Sequence, residues 1–367
     1  MSAMSQPSPP RAAAGDYWVV AGGGAVTPLG SSLEQTAASL TARLQRFRRT
    51  GMPDISALPI TTSEVQGVTT GLAGAARLQA MLQSAMEEAL SALPPPGTLE
   101  GAALLVLALP DRIGPEGCRY MAEWAGQCAD AVPAWAALGR NACRTVQAGA
   151  AGGFAALEVA HAEMLRNPDL RIALLASVDS FCEPTLLRQF VEADLVHRKG
   201  NEEGFVASEA ASAVLLARRP DVPARRYALL RPALAQSPHA LWPHDRQTDG
   251  SVLQPVLDGA LRHAGLGTEH ISHWLSDADG SAWRSREEQG ALMRLTQTSE
   301  TAHLGGQIPE LATRLGQIGA AWGPLYWGLT EVLSRYRLRR TNAALTWALD
   351  PSGHAGAAVM VRSALPD

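Results

Sequence analysis

A strand–helix–strand unit near the middle of the chain constrains the fold more than any other feature. Residues 144–148 and 171–178 predict strands, and the Ala-rich residues 150–165 predict a helix between them, separated from the second strand by Asn167-Pro168-Asp169. A crossover of this kind joins two parallel strands of one sheet and is right-handed in nearly all proteins. The unit therefore predicts an α/β protein.

The same alternation continues along the chain in both directions. Residues 102–109 form a continuous apolar run, which is typical of a strand buried on both faces of a sheet. Residues 31–46 and 73–93 carry apolar side chains at helical spacing. Both halves of the chain thus alternate strands and helices, which is consistent with an internal duplication, although no direct sequence repeat is visible. The other predicted strands are residues 17–21, 213–217, 273–275, 343–349 and 357–361, and the other predicted helices are residues 252–264, 284–296 and 310–335.

Length and composition suggest four segments. The 367 residues are enough for two domains or for one large duplicated unit. Residues 1–15 are rich in Ser, Pro and Ala and predict a disordered lead. Residues 218–250 contain five prolines and several arginines and predict an irregular connection. Residues 16–217 and 251–367 would then form an N-terminal and a C-terminal half.

Charge and cysteine usage exclude several classes of protein. The net charge of −4 argues against nucleic-acid binding, and no apolar run is long enough to predict a membrane span or a secretory signal. The four cysteines form no CxxC pair, which argues against a zinc site and a disulfide framework. Glycine-rich nucleotide motifs are absent as well. We therefore expect a cytoplasmic protein with reduced thiols, no metal and no cofactor.

Three segments of the first half resemble β-ketoacyl-ACP synthases, which are thiolase-like condensing enzymes. Residues 19–30 (VVAGGGAVTPLG) resemble the opening strand and turn of that family. Residues 175–180 (LASVDS) resemble its GGVDS strand end, and residues 203–211 (EGFVASEAA) resemble its DGFxxGEGA segment. The resemblance covers residues 16–217 well and 250–367 loosely. It implies a five-layered α/β/α/β/α thiolase-like fold with two pseudo-duplicated halves.

The resemblance breaks down at the nucleophile. Active members place a cysteine at a sharp elbow between a strand and the Ala-rich helix, where the helix N-terminus lowers the thiol pKa and backbone amides form an oxyanion hole. The matching position in this chain is Ala150 or Ala151, depending on the alignment, and no Cys, Ser or Thr lies between Val146 and Leu165. Cys143 lies at the far end of the predicted strand, on the order of 23 Å from the elbow. We therefore expect Cys143 to be a structural thiol.

The catalytic histidines are missing too. The first histidine of the family lies in an AHGTGT-like strand end, and the matching SDADGS segment has carboxylates there, with Asp277 at the degenerate position. The second lies in a GHxxGAAG run, where this chain offers Gly316 or Gln317. His354 takes the place of the gating phenylalanine in a loosely matching GFGG turn. A carboxylate repels the enolate that an imidazole stabilises, so the chain resembles a catalytically degenerate member.

Other residues near these motifs have a structural and a functional interpretation. Gly152, Gly153, Phe205, Glu209 and His354 are candidates for a pocket around the elbow. For Glu209 we expect structural hydrogen bonds, and for His354 a core or surface position rather than a ligand contact.

Acidic residues near the first degenerate histidine position could also form a functional pair. We expect Asp277, Asp279 and Glu288 to form a solvated loop and helix face instead, because their spacing supports no metal site.

Three functions remain open from the sequence. The first is a non-catalytic adaptor or interaction partner, such as the ketosynthase-like proteins found beside bacterial secretion effectors. The second is a chain-length-factor-like subunit that pairs with an active ketosynthase in fatty acid, polyketide or aryl-polyene synthesis. The third is a residual acyl-transfer enzyme. The resemblance implies a homodimer or a heterodimer with a ketosynthase or an effector or adaptor protein, and an acyl carrier protein as a further partner.

Overall fold

The strands follow the apolar runs of the sequence. The computed structural model describes residues 17–53, 58–218, 226–241, 248–297, 311–336 and 341–362. The predicted disordered lead, residues 1–15, lies outside the described residues. The strands are β1 (Trp18–Val26), β2 (Arg48–Pro53), β3 (Pro59–Ser63), β4 (Gly101–Leu109), β5 (Gly139–Gln147), β6 (Leu170–Ser180), β7 (Ala207–Arg218), β8 (Tyr227–Leu229), β9 (Ala233–Gln236), β10 (His273–Ser276), β11 (Ala343–Leu349) and β12 (His354–Arg362).

The helices fill the gaps between these strands. Several begin as their sequences indicate: Ser32 accepts a hydrogen bond from the backbone N–H of Gln35 as an N-cap, and Pro115 and Pro184 each lie in a first turn. The helices are α1 (Leu33–Thr41), α2 (Gly74–Leu90), α3 (Pro115–Asp130), α4 (Pro133–Ala136), α5 (Gly152–Arg166), α6 (Pro184–Glu192), α7 (Leu253–Ala264), α8 (Ala282–Gln297), α9 (Ala312–Leu315) and α10 (Trp322–Arg335).

The first half forms a mixed sheet around the predicted crossover unit. β5 and β6 lie on either side of β4 and run parallel to it, and β7 and β1 continue the sheet in antiparallel pairs. The resulting order is β5-β4-β6-β7-β1, so β5 lies at one end. Every residue of β7 is buried, as expected for a strand covered on both faces.

The second half forms another mixed sheet. β10 runs parallel to β11, β11 pairs antiparallel with β12, and β12 pairs antiparallel with both β8 and β9. β8 also pairs with the start of β1, so the two sheets are joined at this point. β8 and β9 lie within residues 218–250, for which the sequence predicted an irregular connection; the described part of this segment instead pairs with the second sheet.

Five layers stack in the order helices, sheet, helices, sheet, helices. α2 and α3 cover the outer face of the first sheet, α5 and α10 lie between the sheets, and α7 packs on the outer face of the second sheet with α8 against it. Three buried apolar clusters fill the spaces between the layers: one lies under α2 and α3, one surrounds α5 and α10, and one lies under α7 and α8. This is the predicted five-layered arrangement.

The two central helices begin in the same way. A Gly-Ala-Ala turn of 3-10 type leads into α5 at Gly149–Ala151 and into α10 at Gly319–Ala321. Both turn glycines have positive φ, +48° at Gly149 and +54° at Gly319, a conformation that strongly favours glycine. We call these turns the first elbow and the second elbow. They are short direct repeats that sequence inspection alone overlooked.

Candidate functional site

A cavity of about 310 Å³ lies where the two elbows approach each other. Its floor includes Ala150 of the first elbow, Gly319 of the second elbow and the carboxylate-bearing residues Asp279 and Asp350. Apolar and polar residues form the rest of the wall. Three of the apolar residues have rings that contact one another with centroids 5.2 to 5.8 Å apart. The apolar wall residues include Phe181, Phe190, Leu195, Phe205 and Trp283.

The first elbow presents a methyl group and no free amide at its tip. The backbone N–H of Ala150 donates to Asp350 Oδ2 at 2.9 Å, and that of Gly149 donates to Asp111 Oδ1 at 2.8 Å. The hydroxyl of Ser352 donates to Asp350 Oδ1 at 2.6 Å and holds this carboxylate in place. Ala151, the alternative nucleophile position, is buried and does not line the cavity. An anion already occupies the head of the helix, where backbone N–H groups favour negative charge.

The second elbow has the same design, but its carboxylate is buried. The backbone N–H of Ala320 donates to Asp179 Oδ2 at 3.1 Å. Asp179 is the penultimate residue of β6, whereas Asp350 directly follows β11. Asp179 forms an ion pair with Arg112. Burial raises the pKa of the Asp179 carboxyl above its ordinary value, although the Arg112 guanidinium opposes the shift. Each half of the chain thus caps the elbow of the other half with an aspartate.

Asp279, two residues after the predicted first histidine position, and Gln317, one of the two candidates for the second, face the cavity. The Gln317 amide donates from Nε2 to Asp279 Oδ2 at 3.2 Å. Its Oε1 accepts from the indole of Trp322 at 2.6 Å and from the backbone N–H of Gly319 at 3.1 Å. Gly316, the alternative to Gln317, has a φ of +78°, and a Cβ there would lie 2.7 Å from Ser208 Cβ. It therefore serves the turn and does not line the cavity.

Asp277 lies behind the cavity wall rather than in it. Its carboxylate forms an ion pair with Arg284 and accepts from the backbone N–H of Leu349 at 3.1 Å. Burial raises the pKa of Asp277 to about 7. Of the two carboxylates in the SDADGS segment, only Asp279 lines the cavity, whereas Asp277, the predicted degenerate position, does not.

The prediction that Asp277, Asp279 and Glu288 form a solvated loop and helix face is wrong. The side chains of Asp277 and Asp279 are 1% and 4% exposed and share the guanidinium of Arg284, which is itself 3% exposed. Glu288 points inward, where it accepts hydrogen bonds from Ser276 and Trp347. Burying so many charges is tolerated because each carboxylate has donors around it.

Among the five candidate pocket residues, the structure places only Phe205 on the cavity wall. Gly152 and Gly153 lie in the first turn of α5, and a Cβ on Gly153 would lie 2.8 Å from Gly323 Cα, so this glycine allows the two central helices to approach closely. His354 begins β12 and pairs with Gln236 of β9.

Glu209 has a structural environment away from the cavity. It is fully buried in β7, where it forms an ion pair with Arg77 and accepts from the backbone N–H of Val65 at 2.9 Å and from the hydroxyl of Ser180 at 2.8 Å.

No cysteine or histidine lines the cavity in the part of the chain that the structure describes. Cys143 lies on β5, where its thiol contacts the carbonyl oxygen of Ala122 on α3, on the outer side of the sheet. Burial raises the pKa of the Cys143 thiol to about 11, so at neutral pH almost none of it is the reactive thiolate. Cys118, Cys128 and Cys182 are also free thiols, and burial raises the pKa of each.

Two features of the site were not found from the sequence. Asp350 lies in an Asp-Pro turn after a strand, which indicates a loop but not that its carboxylate would reach an elbow two hundred residues away in the chain. Phe181 directly follows the LASVDS segment, so its place near the site was accessible from the motif.

The described residues contain no group of three or more His, Cys, Asp and Glu side chains that could hold a metal ion. Within the same residues, every helix is too short or too polar to span a bilayer.

Comparison with known proteins gives likeness in structure but not in sequence. No protein-family model and no curated protein matches the chain. The ishigamide ketosynthase/chain length factor matches 95% of this chain and 100% of its own, with a TM-score of 0.69 and 18% identity. The structure of a type II PKS acyl-carrier protein in complex with its ketosynthase matches 95% of this chain and 99% of its own (TM-score 0.72, 17% identity). A β-ketoacyl synthase from Burkholderia phymatum STM815 matches 95% and 100% (TM-score 0.68, 14% identity).

These matches confirm the predicted thiolase-like fold of the condensing enzymes. At identities this low, a structural match shows that the fold is shared but does not show that the activity is shared.

Proposed function

We propose that this chain is a ketosynthase-like protein without condensing activity that acts by binding another protein. One observation carries the proposal: at the first elbow, Ala150 supplies a methyl group where a condensing enzyme needs a nucleophile, and its backbone N–H is already bonded to Asp350. A thioester placed at this elbow would find neither an attacking group nor a free amide for its oxygen.

Electrostatics around the cavity supports the same conclusion. The condensation reaction develops negative charge on a thiolate, on a tetrahedral oxygen and on an enolate, and each needs a nearby donor or cation. Here the carboxylates of Asp279 and Asp350 line the cavity. Arg284 and Arg286 also line it, but Asp277 and Asp279 both lie against the Arg284 guanidinium, and Arg286 is exposed to solvent. The floor therefore opposes the charge that a condensing enzyme must stabilise.

Intact-protein mass spectrometry tests the absence of acyl transfer. The wild-type chain, incubated with octanoyl- and malonyl-N-acetylcysteamine thioesters, should gain no acyl group. Ala150→Cys should be acylated slowly, and Ala150→Cys with Asp350→Ala faster, because the second substitution frees the amide and removes a neighbouring negative charge. Peptide mass spectrometry assigns the adduct to residue 150, because Cys118, Cys128, Cys143 and Cys182 are also free thiols.

Two outcomes would overturn the proposal. The first is an acyl adduct on the wild-type chain that disappears in Cys143→Ala, which would support the residual acyl-transfer enzyme. The second is turnover of the malonyl thioester by the wild-type chain that is lost in Asp279→Asn.

A second candidate is a chain-length-factor-like subunit. It is favoured by the cavity of about 310 Å³ with its aromatic wall and by the likeness to the ishigamide ketosynthase/chain length factor. In this case the chain should co-purify with an intact ketosynthase, and Phe190→Ala, which enlarges the cavity, should lengthen the product. An adaptor would bind its partner equally well with Phe190 or Ala at this position.

A further inference from the structure

The cavity between the two elbows has the size and the lining of a small-ligand site. Its volume of about 310 Å³ lies at the lower end of the range of such sites, about 300–1,000 Å³. Ligand sites combine an apolar wall with a few polar groups that fix the orientation of the ligand. The polar groups of this cavity therefore indicate which chemical class of ligand fits.

Carboxylates outnumber guanidiniums among the described residues that line the cavity. Asp279 lies against Arg284, and Asp194 is paired with Arg198. Asp350, which is half-buried, forms no ion pair within the described residues. The position of Asp350 therefore favours a positively charged group on a ligand. The four carboxylates and two guanidiniums of the lining belong to Asp194, Glu203, Asp279, Asp350, Arg284 and Arg286.

Asp350 keeps an acceptor site for such a group. A carboxylate offers about four lone-pair sites. Its Oδ1 accepts from the hydroxyl and the backbone N–H of Ser352 at 2.6 and 2.9 Å, and its Oδ2 accepts from the backbone N–H of Ala150 at 2.9 Å. Oδ2 can thus accept one more hydrogen bond. An ammonium group there would form a charge-assisted hydrogen bond.

The aromatic wall is compatible with a cation. The rings of Phe190 and Phe205 are half-buried, and their centroids are 5.2 Å apart. Phe181 and Trp283 each have an arginine guanidinium over the ring, at 5.1 and 4.8 Å from the centroid. Aromatic ring faces attract cations and repel anions. The wall can therefore hold an apolar body that carries a positive head group.

A buried donor of the cavity lining has no acceptor. The side chain of Arg284 is 3% exposed, and its Nη1 donates to Asp277. Its Nε has no hydrogen-bond partner within the part of the chain that the structure describes, since Asp279 Oδ2 lies 3.6 Å away, beyond hydrogen-bond distance. A buried donor without an acceptor is costly. An oxygen atom on a ligand would satisfy it.

We infer that the cavity binds a small apolar amine that carries one acceptor oxygen. The ammonium group pairs with Asp350, and the apolar body packs against Phe190 and Phe205. The oxygen accepts from Nε of Arg284. This inference goes beyond the proposed function, which concerns a protein partner, and it does not depend on it.

Isothermal titration calorimetry with three matched probes tests the inference. N-(4-aminobutyl)benzamide, N-(4-hydroxybutyl)benzamide and 5-benzamidopentanoate share a phenyl ring and an amide oxygen, and their head groups are positive, neutral and negative at pH 7. The wild-type chain should bind the amine at least about tenfold more tightly than the alcohol, because hydrogen bonds between charged groups are the stronger ones. The pentanoate should bind more weakly than the alcohol, because the carboxylates repel it.

Two variants assign the effect to Asp350. Asp350→Asn keeps the shape of the side chain and removes its charge, so it should weaken binding of the amine about tenfold and leave binding of the alcohol within about twofold. Asp169→Asn is the matched control. It makes the same change in charge at a side chain that is 71% exposed and does not line the cavity, and it should leave the affinity for both probes unchanged. Thermal melts verify that both variants fold.

Several results would contradict the inference. They are equal affinity of the wild-type chain for the amine and the alcohol, tightest binding of the pentanoate, binding of none of the three probes, and amine binding that is the same in Asp350→Asn. The acylation assay follows covalent transfer to the protein and is independent of these affinities. Failure of this inference would therefore leave the proposed function standing, and the reverse also holds.

Discussion

The two elbows have the same backbone and different surroundings. Each is a Gly-Ala-Ala turn with a positive-φ glycine, and each has its second residue's amide bonded to an aspartate from the other half. Asp179 at the second elbow is 1% exposed and is paired with Arg112. Asp350 at the first elbow is half-buried beside the cavity and is held by Ser352.

The difference shows that the same capped turn can be part of the core or can face a cavity. The capped second elbow shows that a carboxylate can seal this turn as part of the core. At the first elbow the same arrangement faces a cavity, where a condensing enzyme keeps the amide free for substrate. The first elbow thus has the same structural design as its counterpart, but its aspartate faces the cavity.

Removing the buried cap should have the largest effect. Asp179→Ala leaves the backbone N–H of Ala320 buried without an acceptor and breaks the pair with Arg112, so we expect a loss of about 3 kcal/mol in the free energy of unfolding. Guanidinium denaturation measures this value. A loss no greater than that of Asp350→Ala would show that the two caps are equivalent.

Substitution of the turn glycines should follow the same order, with a larger loss of stability at the second elbow than at the first. Gly149→Ala and Gly319→Ala each place a Cβ against the capping carboxylate at positive φ, which costs about 1 kcal/mol from the backbone alone. Asp350 can turn toward solvent and Asp179 cannot, so we expect Gly319→Ala to cost about 2 kcal/mol more than Gly149→Ala. Paired thermal melts give the difference, and equal melting temperatures would contradict it.

Removing the half-exposed cap should have a smaller effect. Asp350→Ala frees the amide of Ala150 toward a cavity that water can enter, so we expect a loss of about 1 kcal/mol, similar to the loss of a helix N-cap. Asp350→Asn is the matched control, because it keeps the shape and removes the charge. A loss above about 3 kcal/mol would mean that Asp350 is part of the core like Asp179.

The smallest expected effect is that of alkylating Cys143 on the edge strand β5. The thiol should react slowly, and its modification should not change the stability of the protein. Its pKa of about 11 leaves roughly one thiol in a thousand ionised at pH 8, and this fraction rises about tenfold per pH unit until the pKa is reached. The rate of alkylation by iodoacetamide, followed by peptide mass spectrometry, should therefore keep rising from pH 8 to pH 10. A plateau near pH 7 would indicate an activated thiol.

Much of the fold was predictable because periodicity is a local property. The apolar run at 102–109 corresponds to β4, and the predicted crossover unit corresponds to β5, α5 and β6, with ends that differ by a few residues. Helices α3 and α6 were missed although their buried residues recur at helical spacing, at Cys118, Met121, Ala125 and Ala129 in α3 and at Leu187 and Val191 in α6. The strands β8 and β9 were missed because a Pro-rich segment does not indicate pairing that depends on distant partners.

The candidate site was predictable only in part. The sequence placed alanine at the elbow, but it could not choose between Ala150 and Ala151 or between Gly316 and Gln317. The structure places Ala150 and Gln317 on the cavity wall. Whether Asp277 or Asp279 faces the cavity depends on the twist of the loop after β10, which no local pattern specifies.

The sequence by itself determined which groups are missing, since a position occupied by a methyl group cannot become a nucleophile in any fold. It also determined the layers, because strands that are buried on both faces of a sheet have continuous apolar sequences. Only the tertiary structure decided which groups meet at the two elbows. Asp350 meets Ala150, and Asp179 meets Ala320, across the interface of the two halves, and contacts between residues so far apart in the chain are set by the packing of the layers and not by any short segment.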